Sequence, residues 1–103
     1  MIIVKVTYTV KPAFVQKNQE NIKIFMADFK KLDHSLFHYV SYLSQDNKTF
    51  VHISHYKNEQ IQRAILQTNS FLSFQKQRDE SGLEMVPQIE VMTIVEESFT
   101  LFN

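Results

Sequence analysis

The chain has 103 residues, one domain's worth, because single cores usually occupy roughly 100 to 150 residues. Eleven Lys and Arg balance eleven Asp and Glu, so no basic field exists to draw in phosphate backbones or anionic lipid, and neither nucleic acid nor a membrane is an expected partner. Nine Phe, four Tyr, one Gly and no Cys exclude disorder, Gly-rich phosphate loops, disulfide frameworks and thiol chemistry, and the lack of a signal peptide or long apolar run reads as a cytoplasmic protein.

Ile2 to Val10 alternates, with Ile2, Val4, Val6, Tyr8 and Val10 on one side, and reads as a half-buried strand stopped by Lys11-Pro12. From Phe14 to Leu32 the period changes. Val15, Ile22, Phe25, Met26 and Phe29 recur at helical offsets, and Asn18 sits inside that stripe. Leu36 to Ser44 and Thr49 to Tyr56 are β-type runs joined by the turn chemistry of Gln45-Asp46-Asn47-Lys48, which predicts a hairpin. A four-residue loop sets His38 against His55, Val40 against Ile53 and Ser41 against His52. Asn58 is a plausible N-cap for a short helix, and a second helical stretch opens at Asn69 and presents Phe71, Leu72 and Phe74. Gly82 stands where a left-handed residue would end that helix. Pro87 precedes a last strand, Gln88 to Glu97.

The order is βαββαβ, which implies an α+β, ferredoxin-like, four-stranded antiparallel sheet with its helices on one face. Both sides of the hairpin carry large apolar groups. One shows Val40, Tyr42, Val51 and Ile53, the other Phe37, Tyr39, Phe50 and Tyr56, so the open face requires a cover. A second copy is the simplest one, and a homodimer is expected. Residues 1–97 form the domain; residues 98–103, with Phe99, Leu101 and Phe102, form a tail that either frays or packs on the partner chain.

Three runs carry a resemblance to a known family: Phe50-Val51-His52-Ile53-Ser54-His55-Tyr56, Asn58-Glu59-Gln60-Ile61 and Asn69-Ser70-Phe71-Leu72-Ser73-Phe74. Together they resemble the hairpin-to-helix core of the antibiotic biosynthesis monooxygenase (ABM) domain. The first strand, Met1 to Val6, and its Lys11-Pro12 stop resemble it too. The resemblance implies a dimeric α/β barrel made by two ferredoxin-like sheets. It also implies the activities of such members, which include cofactor-free oxygenases of polyphenols and quinols and haem-degrading enzymes. Where members carry Glu-x-Trp at the end of the third strand, this chain has Ser54 and Tyr56; their helical His aligns with Ile65. The Asn, Trp and His of the haem-degrading branch fall near Thr7 or Tyr8, on Ile65 and on Gln75. The resemblance therefore points toward quinol or phenol oxygenation with no cofactor.

Histidine is the side chain whose ordinary pKa lies nearest neutral pH, so the four histidines, His34, His38, His52 and His55, are the first candidates for a general base. His52 and His55, three apart on a strand, point to opposite faces, and His34 and His38 straddle an element boundary. His38 and His55 meet across the hairpin and are the expected catalytic pair; no third ligand accompanies them, so no metal is expected. A small apolar or aromatic ligand would be oriented by Asn18 and Tyr39. Tyr56 and Phe50 on the hairpin, with Phe29, Phe71 and Phe74 on the helices, are the expected cavity walls, although Phe at helical spacing also describes plain core. Tyr8 is a further donor at the mouth. The same residues fit an alternative, a non-catalytic ligand-binding or stress-response dimer.

Overall fold

Alternation in the first residues becomes β1 (Ile2–Thr9), and Pro12 opens a single 3-10 turn that leads into α1 (Val15–Phe29). A computed structural model describes residues 1–102. The hairpin is β2 (Phe37–Leu43) and β3 (Thr49–Tyr56). Its loop closes because Asp46 accepts from the backbone N–H groups of Lys48 and Thr49 while Asn47 takes a left-handed φ of 60°. Asn58 caps α2 (Glu59–Leu66), its Oδ1 accepting from Ile61 N–H at 2.9 Å. After the break at Gln67 and Thr68 come α3 (Asn69–Gln77), a π-helical turn at Arg78–Gly82, and β4 (Gln88–Met92).

The four strands pair antiparallel in the order β2-β3-β1-β4, the ferredoxin-like α+β arrangement. Hairpin register is the expected one: His38 pairs with His55, Val40 with Ile53 and Ser41 with His52. β1 lies against β3 with Val4 opposite Ser54, Val6 opposite His52 and Tyr8 opposite Phe50. Period-two alternation then sends Phe50, His52, Ser54 and Tyr56 toward the helices. Phe25 is the hub of the core, its ring centroid 5.1 Å from Phe29 and Phe71 and 4.9 Å from Phe74.

Two sequence expectations need correction, and the path of the tail is now visible. β4 ends at Met92, paired with Ile3, instead of Glu97; β1 has one further residue, Ile2, so the sheet could not have held a strand reaching Glu97. Gly82 has no positive φ; glycine is required there because a Cβ would strike the Phe14 ring. The segment after β4 crosses the open face of its own sheet. Glu97 comes near His55, and Leu101 and Phe102 reach the β2 edge, while Phe99 stays exposed. Residue 103 lies outside the described residues.

Candidate functional site

Between the helix-facing side of the sheet and α2, α3 and the loop at 83–87 lies a cavity of about 790 Å³. It exists because side chains on that face differ in length. Tyr8 and Phe50 stack at 5.6 Å and fill the layer at one end, whereas Val4, Val6 and Ser54 are too short to reach the helices. Leu66 and Phe71 form the far wall, and the exposed Met85, Val86 and Ile89 rim the mouth. The volume suits a ligand of one or two rings.

One polar chain reaches this apolar space. Asn18 Nδ2 donates to the Tyr8 hydroxyl at 2.9 Å; that hydroxyl is 2.8 Å from His52 Nε2, and His52 Nδ1 is 2.7 Å from the Tyr39 hydroxyl. Tyr8 already accepts from Asn18, so its own proton is satisfied by donation to Nε2. The hydrogen-bond pattern then assigns the imidazole proton to Nδ1, which donates to the Tyr39 oxygen. Tyr39 lines the cavity and keeps its own proton for whatever occupies it. Burial, helped by the positive charge of Arg78, depresses the His52 pKa to about 3, so the ring stays neutral. Burial likewise raises Tyr39 and Tyr8 well above the ordinary phenol value, and Tyr56 to about 12. The network presents a proton donor to the cavity, not a base.

The structure distributes the candidate residues over both sides of the sheet. Tyr39, Tyr56 and Phe71 line the cavity. Phe50 and Phe74 are plain core beneath it, 2% and 1% exposed. Asn18 is fully buried and stops at Tyr8, one side chain short of the ligand space, and Tyr8 is likewise buried under the floor and not at the mouth. His38 and His55 do meet, with ring centroids 6.3 Å apart, but on the open face, away from the cavity. Burial and the neighbouring His38 lower the His55 pKa, Glu97 opposes them, and Nδ1 of His55 is buried without a partner among the described residues. His38 and Phe29 instead border a second, open hollow of about 440 Å³, which Leu101 and Phe102 also line.

His52 was weighed from the sequence only as one of four histidines and Arg78 not at all, yet both line the cavity. His52 shares its strand face with Phe50 and Tyr56, and that alternation is the signal that places it among the aromatics. Arg78 continues the buried α3 stripe of Phe71 and Phe74 at helical spacing, where a charged residue stands out. Its guanidinium carbon lies 5.0 Å from the Tyr8 ring centroid and 5.3 Å from that of Phe74. Among the described residues, no three His, Cys, Asp or Glu side chains converge as a metal site, and no helix is long and apolar enough to cross a membrane.

No family model matches the chain, and no curated protein matches it. Solved structures do. An antibiotic biosynthesis monooxygenase superposes with a TM-score of 0.79 at 14% identity, over 93% of this chain and 100% of its own. A candidate monooxygenase of the same name from Bacteroides thetaiotaomicron gives 0.82 at 9% identity, over 96% and 93% of the two chains. One from Caulobacter crescentus gives 0.78 at 19%, over 92% and 90%. The shared quantity at such identities is the path of the backbone, so the chain has the ferredoxin-like α+β fold of the antibiotic biosynthesis monooxygenase structures, as the resemblance of its hairpin and helices implied.

Proposed function

We propose that the chain is a homodimeric, cytoplasmic, cofactor-independent monooxygenase of a small aromatic quinol or phenol, acting in the cavity beside Tyr39. The observation that carries this reading is the Tyr8–His52–Tyr39 chain, which delivers one oriented hydroxyl into an otherwise apolar space. A quinol supplies all the electrons the reaction needs. One oxygen atom of O₂ enters the ring, the other leaves as water, and the product is the hydroxyquinone. Tyr39, kept protonated by burial, hydrogen-bonds the substrate oxygen and favours its ionised, oxygen-reactive form, the substrate proton being released to solvent at the cavity mouth. Apolar walls exclude water from the intermediate. Haem chemistry fits poorly: His52 is the only imidazole lining the cavity among the described residues, and both of its nitrogens are engaged. In the proposed dimer residues 1–97 carry the fold, and the tail from Ser98 on, laid along the open face of its own sheet, meets the partner with its outer side.

Oxygen uptake with a panel of hydroquinones, without metal or flavin, tests the reading. Turnover should fall at least about ten-fold in Tyr39→Phe and persist in His38→Ala and His55→Ala. Silence across the panel, or full activity in Tyr39→Phe, contradicts it. One observation favours a second reading, non-catalytic ligand binding: the cavity's imidazole, at about 3, is too weak a base to take a phenolic proton. Tight quinol binding without oxygen uptake would decide for that alternative.

A further inference from the structure

Arg78 carries a charge that the hydrogen-bond chain through Tyr39 leaves unused. Its side chain is 10% exposed and its guanidinium rests on the rings of Tyr8 and Phe74. A cation in such a place is costly unless an anion answers its charge and acceptors answer its N–H groups. The protein does this in part. Nε donates to Asp79 Oδ1 at 2.9 Å, but that carboxylate is 53% exposed and shares its charge with solvent. The four Nη N–H donors make no hydrogen bond among the described residues, and Arg78 lines the cavity. Glu84, the other carboxylate on the cavity wall, is already paired with Lys48 Nζ at 3.3 Å at the solvent rim.

We infer that the cavity takes a flat aromatic ligand bearing a carboxylate, whose two oxygens pair with the Nη groups of Arg78 while the ring lies on Val4, Leu66 and Phe71. The inference rests on the reading that this cavity is the ligand site. A guanidinium offers parallel donors that match both oxygens of a carboxylate, and its contact with the Tyr8 and Phe74 rings, 5.0 and 5.3 Å from their centroids, restricts where the fork can go. A neutral hydroxyl engages it at one point only.

Calorimetric titration of the full chain with 2-naphthoate and with 2-naphthalenemethanol tests the inference. The rings are identical and neither probe depends on oxygen chemistry. Naphthoate should bind at least about ten-fold more tightly, with an advantage that shrinks as salt is added. That advantage should vanish in Arg78→Gln and be only partly retained in Arg78→Lys, which keeps the charge and loses the fork. The wild-type comparison stands even if either variant fails to fold. Equal affinity for the two probes, or undiminished naphthoate preference in Arg78→Gln, overturns the carboxylate assignment and leaves the cavity reading in place. Binding of neither probe removes the cavity reading, and this inference with it.

Discussion

His52 links stability to pH through its place in the hydrogen-bond chain. Its folded pKa, about 3, lies below the ordinary 6.5, so the unfolded chain binds the proton more readily as pH falls. The stability it contributes is present above pH 6.5 and is lost progressively as pH drops toward 3. Between pH 7 and pH 5 this amounts to about 2 kcal/mol, or a drop in Tm of roughly 10 °C for a domain of this size. His55, also lowered by burial, adds loss of the same sign. Thermal melts at the two pH values check this, and His52→Gln should flatten most of the difference; an unchanged slope would show that another group titrates. The residue itself was hard to read from the sequence. One strand's alternation reveals which face His52 occupies, but its partner Tyr8 is 44 positions away, and only the β1–β3 register brings them together. His38 and His55, by contrast, are paired by a local turn, which made them legible and drew attention to the face opposite the cavity.

Elements were legible where their signals were local. The hairpin register followed from its four-residue loop, and the α2 start from the Asn58 cap. Boundaries failed where a distant partner decides them: β1 is too short to pair a strand reaching Glu97, and Gly82 is needed for its closeness to Phe14, 68 positions earlier, rather than for any helix-ending φ. Gly82→Ala should therefore force the Phe14 ring aside and destabilise the fold by about 1–3 kcal/mol. Denaturant melts measure this directly. A second substitution, Phe14→Leu, should recover part of the loss; a neutral Gly82→Ala would mean that the ring moves freely.

At the scale of the whole molecule, a flat protomer of 41 × 28 × 18 Å exposes 6780 Å², against roughly 6,100 Å² for a compact monomer of its mass. The excess is near the ~800 Å² that a protomer contributes to a standard interface. Val86, Ile89 and Val91 on and before the β4 edge, together with Val95 and Phe99, are exposed apolar residues that the proposed dimer would bury. The proposed homodimer predicts a mass by light scattering of twice 12.2 kDa at micromolar concentration; a persistent single-chain mass would refute it. The expectation of a cover came from the two apolar sides of the hairpin. The cavity was legible only in part: Tyr39, Tyr56 and Phe71 were among the expected ligand contacts, but the gap left by Val4, Val6 and Ser54 lies between layers that only the assembled fold defines. Which side of the sheet receives the ligand is decided most directly by nitrogen-15 spectra of the four histidines during anaerobic titration with a hydroquinone. The His52 ring, neutral and protonated at Nδ1, should shift on binding while His34, His38 and His55 hold still. Movement of His38 and His55 with His52 unchanged would put the ligand on the open face and contradict the assignment.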